Sequence, residues 1–309
     1  MCRVLAYLGS PVLIDDLLFA ADASFIGQAT EPRMMGLLNL GGFGLAGWDQ
    51  DSPDPSRPLA YRIAGIPTFD RNLKSLASKV RVRALVAHVR GVVYDPSERV
   101  GVQQVHPFLF DGAAFALAMN GDLFDFGQMR YDLLEHIPPV LTSRIEGTTD
   151  SEWFYALALA QLREPFEPCT AREMAGAARG ALEIVREVRE RRGIGTQSPI
   201  NLVLSDGQSL VTTRFVFDYG WYPQDDSFFA AEREYDYTTL YYTTRMSERG
   251  RDRDGSAQQL GELTTAVLVA SEPLSADSSG WARVPEYSML IAAPNHDGGL
   301  SIELQELDL

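Results

Sequence analysis

The chain opens Met1-Cys2-Arg3-Val4-Leu5-Ala6-Tyr7-Leu8. Residues 2–8 form an almost unbroken apolar run, followed by Gly9, Ser10 and Pro11, and read as a buried strand starting almost at the terminus. Its first residue is a cysteine, small enough that an initiator methionine is commonly removed in front of it. Removal leaves a thiol and a free α-amine on one residue. That amine has a pKa of about 7.7–8.0, so roughly a quarter to two-fifths of it is neutral at pH 7.5. A neutral amine can activate its own side chain, directly or through a water, with no separate histidine. The plainer reading of Cys2 is a small apolar residue opening a strand.

Composition narrows the setting. The 309 residues hold 45% hydrophobic and 22% charged side chains, which fits a globular protein with a sizeable core. Asp and Glu outnumber Lys and Arg by 42 to 27, a formal net charge of -15, which argues against nucleic acid or an anionic membrane as partner. Cys2 and Cys169 are the only cysteines, too few for a disulfide framework or a zinc cluster. A reducing, cytoplasmic location is expected. Pro11 and Asp15-Asp16 break the N-terminal apolar stretch, unlike a signal peptide, and no apolar run reaches membrane-spanning length.

Further along, Ile14 to Phe25 has helical apolar spacing, with Asp15 and Asp16 in its first turn. Residues 42–48 (Gly-Phe-Gly-Leu-Ala-Gly-Trp) read as a strand whose glycines imply close backbone approach. A loop follows from Asp49 to Pro58, then a helix from Asp70 to Lys79 and strands at Arg83 to Arg90 and Ala113 to Met119. The last of these ends on Asn120-Gly121, a turn signal. Thr149-Asp150-Ser151-Glu152 and Thr170-Ala171-Arg172-Glu173 fit the capping-box pattern, and Gly193 ends the second helix. Asp206-Gly207 marks a hairpin between Asn201–Ser205 and Ser209–Phe215. Met246 to Gln259 reads as an exposed loop. Leu263 to Ser271, Tyr287 to Ala293 and Leu300 to Leu304 read as strands, as does the tyrosine-rich stretch from Tyr235 to Tyr242. With no linker or repeat, residues 1–309 are expected to form one layered domain of sheets and helices.

Several side chains could carry chemistry. Arg90 ends its strand, where a guanidinium offers a bidentate fork to a carboxylate; alone it reads as a surface ion pair. Asn120-Gly121 alone is a bare turn. Its functional reading is an oxyanion hole made of the Asn120 side-chain amide and the Gly121 N–H. Asp150 is most simply a helix-start residue, or else a holder of a substrate ammonium. His106 and Met119 are candidate pocket-wall residues. Arg214 reads as an ion-pair partner and Cys169 as packing.

The ordered set is more specific than any member. Met1-Cys2-Arg3-Val4-Leu5-Ala6-Tyr7, Ala87-His88-Val89-Arg90, His106-Pro107-Phe108, Asn120-Gly121 and Thr149-Asp150-Ser151-Glu152 occur in one order. Leu204-Ser205-Asp206-Gly207, Thr212-Thr213-Arg214, Ala270-Ser271-Glu272-Pro273 and Trp281 follow. Over nearly its whole length the chain resembles the class II (N-terminal-nucleophile) glutamine amidotransferases, and within them the stand-alone branch that includes the ergothioneine-pathway γ-glutamyl hydrolase.

The resemblance implies an α+β fold, a four-layer αββα sandwich of the N-terminal-nucleophile hydrolase type. It implies Cys2 as nucleophile with its own amine as base and acid, Arg90 on the substrate α-carboxylate, Asn120 and Gly121 as the oxyanion hole, and Asp150 on the α-ammonium. It implies no cofactor and no metal. The substrate would be a small molecule bearing a γ-glutamyl amide, either glutamine or a conjugate of a larger amine, hydrolysed through a Cys2 thioester. With glutamine, a separate synthase could accept the ammonia. A third reading is a non-catalytic homologue that binds a glutamyl ligand. The chain departs from the family pattern where Gly91, Val92 and Val93 replace an aromatic, Ala and Thr. Met119 also stands where a histidine often precedes Asn-Gly, and Asp122 adds a negative charge beside the pair. These leave the identity of the leaving amine open.

Overall fold

The computed structural model describes residues 2–34, 38–92, 100–219, 239–244 and 264–309. In chain order the strands are β1 (Arg3–Leu13), β2 (Gly42–Trp48), β3 (Leu59–Ile63), β4 (Arg81–Arg90), β5 (Ala116–Gly121), β6 (Ser198–Ser205), β7 (Leu210–Arg214), β8 (Val216–Phe217), β9 (Tyr241–Thr243), β10 (Ala266–Ala270), β11 (Ala282–Arg283), β12 (Ser288–Pro294) and β13 (Leu300–Glu306). The helices are α1 (Ile14–Leu18), α2 (Arg71–Ala77), α3 (Phe126–Leu134), α4 (Pro139–Thr142), α5 (Asp150–Leu159) and α6 (Ala171–Arg192). Among the described residues the strands make two antiparallel sheets. One runs β11-β9-β10-β1-β4-β2-β3; the other runs β13-β12-β7-β6-β5, with β8 also paired to β6.

Side chains alternate across a strand, and this divides the core into layers. From the first sheet Val4, Ala6, Leu8, Ala46, Ala84, Val86, Val267 and Val269 point inward. They meet Ala116, Ala118, Val203, Leu210, Leu290 and Ala292 of the second sheet. The alternate residues Leu5, Tyr7, Leu45, Leu85, Ala87 and Val89 point outward under α1 and α2. On the far side Leu117, Met119, Leu202 and Leu204 lie under α3, α5 and α6. The result is the expected αββα sandwich.

Local signals place the helices. Asp70 caps α2, its side chain accepting the Asn72 and Leu73 N–H groups. Thr170 and Glu173 form a complete capping box, and α6 stops at Gly193 in the left-handed region, φ 66°. The other capping pattern is half formed: Thr149 accepts the Glu152 N–H, but the Glu152 carboxylate accepts instead from Glu146 and Gly147 at 3.0 and 2.6 Å. The glycine-rich β2 does meet a close backbone: a Cβ on Gly44 would overlap the His106 carbonyl oxygen.

Several expectations are corrected. The helix expected over 14–25 ends at Leu18, because the chain turns back and the Ala23 N–H bonds the Leu274 carbonyl at 3.0 Å. The strand expected over 113–119 is shifted to Ala116–Gly121. Ala114 bonds Pro165 instead, and Asn120-Gly121 continues the β5–β6 ladder opposite Asn201 and Ile200 rather than turning. The short β3, β8 and β11 and helices α3 and α4 carry no strong periodic signal. The stretches 246–259 and 235–238 lie outside the described residues, as does residue 263 of the strand expected from it.

At one end the inner layer turns polar. His88 of β4 follows Ala84 and Val86 on the inward face and stacks on His106 with ring centroids 4.1 Å apart. Both imidazoles are buried. Burial, with Arg90 adding like charge, lowers the His88 pKa to about 3. Burial, then His88 and Arg90, hold His106 well below the ordinary value. Both rings stay neutral in the folded state, whereas in the unfolded chain they protonate near pH 6.5. The unfolded state therefore binds more protons below pH 6.5, and stability falls with pH in that window. Urea unfolding midpoints measured from pH 7 to pH 4.5 are expected to decline steadily below about pH 6.5, the ordinary histidine value. A flat profile over that range would contradict neutral burial of the pair.

Candidate active site

β1 is central in its sheet, antiparallel to β10 on one side and β4 on the other, with Arg3 opposite Val89 and Leu5 opposite Ala270. The start of β1 therefore lies between the ends of both neighbours. Continuing the alternation of Val4, Ala6 and Leu8, Cys2 falls on the inward face, as do Arg90 at the end of β4 and Ser271 just past β10. In the second sheet Asn120 follows Ala116 and Ala118 on the inward face of β5. Strand period and pairing register thus bring residues far apart in sequence to one end of the inter-sheet layer.

Cys2 is partly exposed. Its Sγ accepts the Gly91 N–H at 3.2 Å and lies 3.7 Å from the Gly91 carbonyl oxygen, so the residue after Arg90 holds the thiol. Arg90 is buried and does not lie on the surface. A buried guanidinium is more weakly hydrated than an ammonium and presents a fork matched to a carboxylate.

Gly121 ends β5 against the start of β6. A Cβ there would overlap the Pro199 carbonyl oxygen, so only glycine fits. The Pro199 oxygen instead accepts the Asp122 N–H at 3.0 Å. Two residues on, the Leu123 N–H donates to Asp150 Oδ2 at 2.6 Å, while Oδ1 accepts from the Ser151 N–H and hydroxyl at 2.7 and 3.0 Å. Asp150 thereby fastens the N-terminus of α5 to the segment leaving Asn120-Gly121. Three donors leave part of an ionised carboxylate's acceptor capacity unused.

The other two candidates differ. His106 lies beside the site, stacked on His88 and Phe108, and its Nδ1 accepts the Met119 N–H at 3.3 Å. The Met119 side chain points the other way, into the core beneath the helices. The residue replacing the family's histidine is thus a packing residue on the opposite face of β5 from Asn120. Val93 lies outside the described residues. Arg214 pairs with Glu286 at 3.0 Å and donates to the Val284 carbonyl. Burial, aided by Asp206 and Glu173, pushes the Cys169 thiol up to about 12, which leaves it a poor nucleophile.

Sequence reasoning missed a second polar group at this end. The buried Arg3 donates to the Cys2 carbonyl at 3.1 Å and faces Glu272 at 3.9 Å. The Glu272 carboxylate also accepts the Arg33 and Met34 N–H groups at 3.1 and 2.8 Å. Ser271 Oγ accepts the Val4 N–H at 3.0 Å and the Asn120 Nδ2–H at 3.1 Å. The available signal was Ser271-Glu272 directly after a strand, two polar residues where alternation sends one to each face.

Among the described residues no cluster of His, Cys, Asp and Glu could hold a metal ion, and no helix is long and apolar enough to cross a membrane.

Comparison with known proteins bears on the fold and the family. Residues 66–302 match the family model described as glutamine amidotransferases class-II. The probable glutamine amidotransferase DUG3 of Saccharomyces cerevisiae is 26% identical over 307 residues, covering 94% of this chain and 81% of its own length. Among solved structures, a glutamine aminotransferase class-II domain protein from Silicibacter pomeroyi superposes with a TM-score of 0.61 at 19% identity, covering 100% of both chains. The glutamine phosphoribosylpyrophosphate amidotransferase of B. subtilis, complexed with ADP and GMP, superposes with a TM-score of 0.58 at 16% identity. It covers 100% of this chain and 50% of the other. At such identities the structures speak for the fold, and the family model, matching most of the chain, supplies the assignment. The chain belongs to the class-II glutamine amidotransferases.

Proposed function

We propose that the protein hydrolyses a γ-glutamyl amide through a γ-glutamyl thioester on Cys2. The observation that carries this reading is the convergence of Cys2, Arg90 and Asn120 on the inward faces at one end of the sandwich, with Gly121 and Asp150 fastened beside them. Removal of Met1 frees the Cys2 amine, which takes the thiol proton. The thiolate attacks the γ-carbonyl, and the oxyanion is stabilised by the Asn120 amide and the Gly121 N–H. The C–N bond breaks, and the leaving amine takes its proton from the Cys2 ammonium. Water then attacks the thioester, giving glutamate and restoring the thiol. Arg90 on the α-carboxylate and Asp150 on the α-ammonium hold the carbonyl over the sulfur, which makes the attack effectively intramolecular. The unpaired cysteines fit a reducing, cytoplasmic location.

The test is glutamate release from glutamine and from a panel of γ-glutamyl amides, on protein whose intact mass shows Met1 removed. Wild type is expected to release glutamate and Cys2→Ala to release none. No release from any substrate by a chain with a free Cys2 terminus would defeat the hydrolase reading and favour a ligand-binding homologue. Turnover of glutamine alone would shift the reading to an ammonia donor for a separate synthase.

Arg90→Ala separates binding from chemistry. Loss of a charge-assisted contact to substrate is worth about 1.5–3 kcal/mol. The expected fall in kcat/KM is therefore roughly 10- to 150-fold, since about 1.4 kcal/mol is a factor of ten, and most of it should appear in KM. An unchanged kcat/KM would refute the carboxylate assignment.

A further inference from the structure

Ser271 belongs to a motif noted only for its resemblance, and the chemistry above leaves it without a role. Its hydroxyl oxygen accepts two hydrogen bonds from opposite sheets. One is the Val4 N–H of β1 at 3.0 Å; the other is an Nδ2 hydrogen of Asn120 on β5 at 3.1 Å. The backbone around it is equally held. The Ser271 N–H donates to the Val4 carbonyl at 3.1 Å, and its carbonyl accepts the Thr239 hydroxyl at 2.9 Å. Both Ser271 and Asn120 are buried.

A primary amide carries two N–H donors on one nitrogen, and rotation about χ2 decides where they point. An oxyanion donor works only when it is aimed beforehand at the place where charge develops. With one Nδ2 hydrogen fixed on Ser271 Oγ, the direction of the second is set, because the two lie in one plane at a fixed angle. The same oxygen anchors Val4, two residues from Cys2, so nucleophile strand and oxyanion amide share one reference atom.

We propose that Ser271 is a positioning residue for the reaction: its Oγ orients the Asn120 amide toward the Cys2 thiol and ties β5 to β1. This rests on the reading of Asn120 as an oxyanion donor. In this role Ser271 acts through Asn120, so its effect lies in kcat and not in substrate affinity.

The experiment is a kinetic cycle over Ser271→Ala, Asn120→Ala and the double variant, together with the matched pair Ser271→Thr and Ser271→Val. Thr and Val are nearly equal in size and differ by the hydroxyl, so the comparison survives if Ser271→Ala fails to fold. Removing one oxyanion donor costs about 100- to 1,000-fold in kcat, so misaiming it should cost at least about tenfold. Ser271→Ala is expected to lower kcat by that factor with KM within about twofold, and the double variant to be no slower than Asn120→Ala alone. Ser271→Thr should recover most of the rate that Ser271→Val loses. Wild-type kcat in Ser271→Ala, additive losses in the double variant, or equal rates for Thr and Val would each overturn the proposal while Asn120→Ala remains impaired. Wild-type kcat in Asn120→Ala would overturn the oxyanion reading and the proposal together.

Discussion

The two-residue period of β1, held in register between β10 and β4, is the constraint on which the rest of the site depends. It sends Val4, Ala6 and Leu8 into the inter-sheet layer and places Cys2 on the same face. A one-residue slip would bury the thiol under α1 and α2 and bring Arg3 inward. The slip is resisted on both faces, because Leu5 and Tyr7 are as fully packed outward as Val4 and Ala6 are inward.

Antiparallel pairing then does the gathering. Because β4 and β10 run opposite to β1, their last residues meet its first. Arg90, Gly91 and Ser271 gather at the head of β1 from far along the chain: Gly91 lies 89 positions from Cys2, and Ser271 lies 267 positions from Val4. The second sheet adds Asn120 and Gly121 from the end of β5, and close packing of alanines brings that end near. Three carboxylates around the site are tied to backbone N–H groups: Asp150 to Leu123, Glu152 to Glu146 and Gly147, Glu272 to Arg33 and Met34. Such satisfied contacts fix geometry, since a buried polar group without a partner would be costly.

Much of this was legible in the sequence. The apolar run after Cys2, the glycines of β2, the Thr170 cap and the Asp206-Gly207 hairpin each carry a local signal that the fold obeys. The ordered motifs named the family that the family model assigns. Legibility failed where tertiary contact outweighs local preference. Apolar spacing after Ile14 suggested a long helix, but a bond to Leu274 ends it early. Asn-Gly is a strong turn signal, yet here it completes a strand because Asn201 and Ile200 pair alongside it. Arg90 read as a surface charge because burial cannot be seen in one residue. The Ser271 bridge was invisible for the same reason: both of its partners lie across space, one of them in the other sheet.

The central claim is that Cys2, at the head of that strand, is the group that attacks the γ-carbonyl. The most direct measurement is covalent labelling with the diazoketone analogue of glutamine, followed by intact-mass and peptide mapping. A single adduct on the Cys2 of chains lacking Met1, formed at a rate that added glutamine suppresses, is the predicted result. Labelling of Cys169 instead, or no labelling of chains with a free Cys2 terminus, would contradict it.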